Sequence, residues 1–497
     1  MLRTVDVKDC RIGVYENKHL SGDWDDTEEG IYFMAISTDR AILAILKTWY
    51  KDGVENLLKR NSPALQKIGT TKVEGKEQRF AAIYSRGGAV SADATVAAAV
   101  AAQNAKNAEF VVTPGQIFSY FSFNAKEVQA SLTRRGAYMK VAGNKSFAAA
   151  EAFRKTLAAA LYGRGYGELA VLGAAYTMTT APIDITLPNY AIMAIDVGSQ
   201  LVLKSSVKST TEAVTLTVNS IDGNTVNVTP SASYSALATD VVALKGSMDA
   251  NGAPNLPMGL AGWLPILEGR DAAGSSWPTY IATPFFGVTR SVNPEALAGS
   301  FVPLTASEPK LVTLQKAIQK ARRHGAVSNF IIMNDEDWLD VSNALETTNS
   351  FMTLTSEKGK KTATKGFSNL QFAMSTSWVD NVYDDPYCPK GVFYVLDADG
   401  VELFAYTNSE IAHDGLANNE PGKQNPEEFD DKGKEDNAFK LMIDDVLSVV
   451  PGQLTSDGES VRACYQLFGS FVVLNPSNAA VGIFSDANTA TLPAYVD

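Results

Sequence analysis

The chain has 497 residues, 45% hydrophobic and 20% charged, with a formal net charge of −12 and a pI near 5.0. That length and apolar content predict a globular protein of two to four domains, and the acidic balance argues against a dedicated nucleic-acid binder, which would carry a basic domain or stripe. No apolar run approaches the ~20 residues that span a bilayer, Met1–Cys10 lacks a signal peptide's apolar core, and the scattered Cys10, Cys388 and Cys464 predict reduced thiols without a disulfide framework.

Residues 1–75 read as an N-terminal arm. They open acidic around Asp23, Asp25, Asp26, Glu28 and Glu29. A helical pattern follows from Thr38-Asp39 through Ile42, Leu46, Trp49 and Tyr50, then a short helix at Val54–Leu58 and a breaker at Ser62-Pro63. Such an arm lacks a core and needs something else to pack on.

Residues 76–124 read as an extended hairpin loop. Phe80, Ala82 and Tyr84 alternate toward Arg86-Gly87-Gly88, a bland Ala, Ser and Val stretch runs to Asn107, and Phe110–Val112 and Ile117–Phe123 favour strand. A long hairpin with small residues in its middle buries little of itself and finds stability on a neighbouring molecule.

A short helix at Lys126–Leu132 leads into the longest helical pattern, Arg135–Gly163, whose apolar face is Tyr138, Ala142, Ala149, Phe153, Leu157 and Ala160. Gly143 and Asn144 are its weak point, where a bend or break is expected, and Gly163 is its stop. This helix is a structural spine of a region spanning 125–168.

Residues 169–345 form the next region. Within it, 190–230 reads as a small inserted β-barrel, with alternating strands and an Asp222-Gly223-Asn224 hairpin turn. Ala236–Thr305 is loop-rich and holds Trp263, Trp277, Tyr280, Phe285 and Phe286. Leu311–Arg323 is an amphipathic helix, Phe330–Met333 a buried strand, and Asn334-Asp335 caps a helix with Trp338, Val341 and Leu345 inward, together an α/β layer. In 346–497, Ser350–Ser377 is hairpin material, and Val392–Leu396 and Val401–Ala405 flank Asp397-Ala398-Asp399-Gly400 as another hairpin. Residues 408–435 are an acidic surface insertion, and Val461–Leu474 is a closing strand pair.

The candidate chemistry is thin. Gly163-Arg164-Gly165-Tyr166-Gly167 has a phosphate-loop look, but it follows a helix and lacks the dinucleotide spacing, so it reads as a helix end. Asp397, Asp399, Gly400 and Glu402 invite a calcium reading without the twelve-residue ligand ladder, and a turn accounts for them. Glu427, Glu428, Asp430 and Asp431 are a solvated surface or hold a divalent ion loosely. His19, His324 and His413 have no partner at metal-ligand spacing, and His324 suits the dipole at a helix end. Cys388, before Pro389-Lys390-Gly391, could be a nucleophile, yet no histidine is indicated beside it. Lys310, Lys316, Lys320, Arg322 and Arg323 form the best basic patch, a solvated helix exterior or a contact for an acidic neighbour or phosphate backbone. No catalytic residue, cofactor or metal site is expected, and the chain does not read as an enzyme.

Taken in order, these segments resemble the tailed-bacteriophage major capsid proteins of the Hong Kong 97 type. The likeness runs from about Lys76 to Phe484. It is carried by the Ala-rich hairpin (Ala81–Phe123), RRGAYMKV with LAAALYGRGYG, MGLAGWLP (Met258–Pro265), FFGVTRSVNPEALAGS (Phe285–Ser300), LQKAIQKARRHG with NFIIMNDEDW (Leu314–Trp338), DPYCPKGVFYVL (Asp385–Leu396) and GSFVVLNPSNAAVGIF (Gly469–Phe484). The resemblance implies an α+β capsid fold with arm, extended hairpin, spine helix in a peripheral domain, and an axial domain carrying the barrel. It implies self-assembly into hexamers and pentamers of an icosahedral head enclosing double-stranded DNA without sequence-specific binding, in a virion assembled in the bacterial host cytoplasm. Expected partners are a scaffolding protein, a portal and decoration proteins, with no membrane. Expected inter-subunit contacts are Tyr84, Arg86, Val90, Val96, Phe110, Trp263, Phe285 and Phe286. The rival readings are an encapsulin-like cellular shell and a cytosolic hydrolase using Cys388.

Overall fold

The computed structural model describes residues 2–7, 10–15, 62–73, 77–85, 90–100, 106–124, 135–266, 284–326, 328–348, 352–357, 360–365, 372–374, 377–397, 400–406, 448–454, 460–487 and 492. The expected helices at 38–50, 54–58 and 126–132, together with His19, Arg86, Trp277, Tyr280, Asp399, His413 and the 408–435 insertion, lie outside the described residues. The chain forms two compact units, Met1–Lys47 and Thr48–Asp497. In the first, Leu2–Val7 pairs antiparallel with Cys10–Tyr15. Among the described residues of the second, α and β elements are mixed, with three larger sheets and few long helices.

One sheet is antiparallel and six-stranded, in the order 168–171, 241–244, 200–204, 214–222, 225–230 and 183–186. Its core includes Leu201, Leu203, Leu216, Val226, Val228 and Val242, all buried. The expected turn is present: Asp222 pairs with Thr225 around Gly223, whose φ is 54°. The strands of 190–230 are not a unit of their own, however. Ile183–Thr186, Val241–Leu244 and Glu168–Val171 complete their sheet and share their core, because each flanking segment has apolar residues on the same face.

A second six-stranded sheet is mixed, in the order 300–302, 480–483, 392–397, 328–333, 377–384 and 372–374. The helix Lys310–Arg323 lays Leu314, Ala317, Ile318 and Ala321 on it, and the helix Asp335–Thr348 adds Val341, which gives the expected helix–strand–helix layer. Val392–Asp397 and Val401–Tyr406 do not form a hairpin. The first strand lies between 328–333 and 480–483, and the second between 460–473 and 69–73, so the chain changes sheets at 398–400. Val392 to Leu396 are all buried, and an apolar strand of this kind gains more from two neighbours than from one exposed partner.

The third sheet is built on Ser460–Val473, one continuous 14-residue strand where a strand pair was expected. Its partners come from elsewhere in the chain: Gly115–Asn124 on one side, Val401–Tyr406 and Ser448–Leu454 on the other. The helix Arg135–Leu161 runs unbroken through Gly143-Asn144 and packs on the Gly115–Asn124 strand, where Ser119 Oγ donates to the Ala149 carbonyl at 2.8 Å. Ala149, Phe153, Leu157 and Ala160 are buried as expected. Its end sits against Gly259, where a Cβ would meet the Ala160 carbonyl oxygen at 2.2 Å, so only glycine fits.

The last part of the expected arm belongs to this body. Pro63 opens a helix, Pro63–Lys67, instead of only breaking one, as its fixed φ favours at a first helical position. Ala64, Leu65 and Ile68 are buried, and Gly69–Val73 pairs in parallel with Val401–Tyr406.

Candidate functional site

The projecting hairpin consists of Gln78–Ser85 paired antiparallel with Lys106–Val112. The expected third segment leaves it: beyond Thr113-Pro114, Gly115–Asn124 joins the Ser460–Val473 strand. The outer part of the hairpin holds a short helix, Ala94–Val100, where bland coil was expected. Asp93 ahead of an Ala/Val run was the available signal: its Oδ1 accepts from the Thr95 N–H at 2.8 Å and its carbonyl from Ala97 N–H at 2.9 Å. Thr95 Oγ1 also donates to Asp93 Oδ1 at 2.5 Å, and this bond first, then the Thr95 N–H bond, holds the Asp93 carboxyl below the usual carboxylate range.

At its base the hairpin is tied down by aromatics. Phe80 and Phe110 are register partners, and their rings stack at 5.1 Å. Both meet Trp263, at 5.9 and 5.3 Å. Phe285 stands edge-on to the Trp263 ring at 5.0 Å, and Phe286 lies 5.6 Å from it. The Trp263 Nε1–H donates to the Phe471 carbonyl at 2.8 Å, which joins the cluster to the closing strand. Buried Arg290 lays its guanidinium 4.0 Å from the Phe285 ring and donates through Nη1 to the Gly262 and Trp263 carbonyls at 2.8 and 3.1 Å. Phe286 and Gly287 make a tight turn at φ 48° and 86°, bridged by Phe285 and Val288, and the Phe286 carbonyl accepts from Val111 N–H at 2.9 Å. Asn293 Nδ2 donates to the Tyr84 carbonyl at 3.0 Å.

The eight expected contact residues therefore divide. Phe110, Trp263 and Phe285 are buried within one chain, where they anchor the hairpin, so they do not form free contact surface. Their size and apolarity suit a core cluster as well as an interface, and sequence alone does not separate the two. Phe286 and Tyr84 are half-buried beside them. Val90 is 93% exposed and Val96 51%. Ile83 at 67% extends the exposed apolar surface along the hairpin. Phe118 at 42% and Tyr120 at 66% add an outward aromatic pair, with Phe468 edge-on to Phe118 at 5.7 Å. Period two along Phe118 and Tyr120 was the signal for them.

The other candidates resolve into structural roles. Cys388 is fully buried with its Sγ 3.6 Å from the Val392 carbonyl oxygen, and burial, then the nearby carboxylates led by Asp385, push its thiol well above the ordinary value. A thiol so placed is not an accessible nucleophile. Arg164, in the glycine-rich turn, points inward: its Nε lies 3.4 Å from Glu168 Oε1, which also accepts Arg164 N–H at 2.6 Å. Asp397 and Glu402 do not converge, since Asp397 faces Asn478 and Glu402 accepts from Thr71 Oγ1 at 2.5 Å. The basic patch is largely engaged. Lys316 pairs with Glu308, and Lys320 donates to the Phe301 carbonyl. Lys310 Nζ lies 2.8 Å from each of Asp337, Asp340 and Asp486. Those three carboxylates are near enough to hold a metal ion, but the ammonium is already their cation. His324 caps its helix as expected, with Nε2 3.0 Å from Glu295. No described helix is long and apolar enough to cross a membrane.

No family model and no curated protein matches the chain. Among solved structures, the capsid asymmetric unit of Cyanophage A-1(L) is 13% identical, covers 86% of this chain and 93% of its own, and superposes with a TM-score of 0.48. The capsid of the empty GTA particle is 10% identical, with coverage of 86% and 97% and a TM-score of 0.36. The holo-SrpI encapsulin complex from Synechococcus elongatus is 9% identical, with coverage of 86% and 88% and a TM-score of 0.38. The chain resembles phage capsid subunits along most of its length.

Proposed function

We propose that this chain is a shell subunit, the major capsid protein of a tailed double-stranded DNA bacteriophage, which self-assembles through hexamers and pentamers into an icosahedral head. In this reading the long helix Arg135–Leu161 is the spine of a peripheral domain, and the antiparallel sheet between Glu168 and Leu244 belongs to an axial domain around the local symmetry axes. Scaffolding protein, portal and decoration proteins are its partners. The genome is enclosed without sequence-specific contact.

One observation carries the reading. The hairpin is fixed at its base by Phe80, Phe110 and Trp263, yet Ile83, Val90 and Val96 farther along it are open to solvent. A flexible loop would need no such anchor, and a self-sufficient domain would not hold apolar side chains out on a two-stranded arm. Rigid base and apolar outer part together suit a lever that lies on a second copy of the chain, with the contact repeated by symmetry. Electron microscopy of the purified protein tests this. Closed shells or ring-shaped capsomers are expected, and a uniform population of monomers at high concentration would refute it.

A further inference from the structure

The strand Ser460–Val473 has neighbours on both sides from Val461 to Gln466 and again at Gly469. Gly469 pairs with Gly115 and also with Ala405, so Gly115–Asn124 and Val401–Tyr406 flank it on opposite sides. Opposite Gly115–Asn124, two separate strands share a single track. Val401 to Ala405 pair with Val473 to Gly469, and Ser448 to Leu454 pair with Gln466 to Val461. Both run antiparallel to the same strand, and the ends that approach each other, Val401 to Ala405 and Ser448 to Val450, pair with it in regular register, ahead of a bulge between Val450 and Gln453. One step beyond Ala405 the register brings Tyr406 opposite Phe468, and Ser448 already faces Gln466. Only the position opposite Leu467 remains between them. A strand running straight on would need one residue there. The sequence supplies 41, residues 407–447.

We infer that Val401–Tyr406 and Ser448–Leu454 are two halves of one strand, and that 407–447 is a module grafted into it whose role is separable from folding of the body. Two unrelated strands have no reason to abut end to end with a one-residue gap and a common register, whereas an insertion into an existing strand produces that arrangement. The graft is also where the chain's charge resides. Residues 407–447 carry eleven carboxylates and four lysines, a net of −7 out of −12. The acidity of the whole chain is then mainly a property of the graft.

The test compares melting of the full chain with three variants. Deleting 408–447 leaves Thr407 as the single bridging residue. Deleting 407–447 joins Tyr406 directly to Ser448. The third replaces 407–447 with a short Gly-Ser linker. The one-residue bridge and the linker should both melt within about 5 °C of the full chain, and the direct join should melt lower because it drags one half out of register. If the linker variant folds and the one-residue bridge does not, the two halves are not one strand. If both fail, the segment is part of the fold. If the direct join equals the one-residue bridge, the register argument fails. All three readouts concern folding alone, so they stand apart from the shell reading.

Discussion

Trp263 donates its indole N–H to the main-chain carbonyl of Phe471 at 2.8 Å while its ring faces Phe110 at 5.3 Å. One side chain thus joins the closing strand of the body to the base of the projecting hairpin. Substituting Trp263→Ala should cost about 3–5 kcal/mol, as for other buried large-to-small aromatic changes. Trp263→Phe keeps a ring but leaves the Phe471 carbonyl without its donor, for about 1–3 kcal/mol. Urea unfolding measures both. Limited proteolysis should cut between Tyr84 and Lys106 faster in the alanine variant, and unchanged cutting would mean that the hairpin is held elsewhere.

Lys310 sits among Asp337, Asp340 and Asp486, and Asp337 is fully buried and also accepts the Gly391 N–H at 2.6 Å. Burial alone would lower the lysine, but hydrogen bonds to the three carboxylates win and hold it above its ordinary value. Lys310→Met should destabilise by about 3–5 kcal/mol because it strands a buried charge. Adding Asp337→Asn should recover more than half of that loss. Equal losses in the single and double variants would show that the charge is not what matters.

Glu336 is held below its ordinary 4.5 by Lys390 at 2.5 Å and by Asn189 Nδ2 at 2.6 Å. A depressed carboxyl contributes stability above its unfolded value and loses it as pH falls through the folded one. Because the pair is partly exposed, the effect is small, about 0.2–1 kcal/mol. Glu336→Gln should therefore be less stable than the parent at pH 7, and the two curves should converge below about pH 4.5. Parallel curves across that range would remove the ion pair from the account.

Local pattern made much of this fold legible. The helices Arg135–Leu161 and Lys310–Arg323 declared themselves by spacing of apolar residues, and Asp222-Gly223-Asn224 by its turn chemistry. What stayed hidden was long-range partnership. Val392–Asp397 and Val401–Tyr406 read as a hairpin because they are close in sequence, but their hydrogen bonds go to different sheets. At the candidate site, Val90 and Val96 were readable as exposed apolar residues of a projecting element. Phe110 and Trp263 were not separable from them, since a large aromatic serves a core or an interface equally well until its neighbours are known. The acidity of 408–435 was readable in the sequence, but that the segment interrupts a single strand required the register.

The central claim is that the exposed outer part of the hairpin is completed by another copy of the chain. Sedimentation velocity of the Val90→Asp, Val96→Asp double variant beside the parent tests it most directly, since both side chains are exposed and the variant should fold normally. The account predicts that the parent sediments as large closed particles while the variant, still folded with a cooperative melting transition, stays as small soluble species. Particles of the same size and yield from both would contradict it.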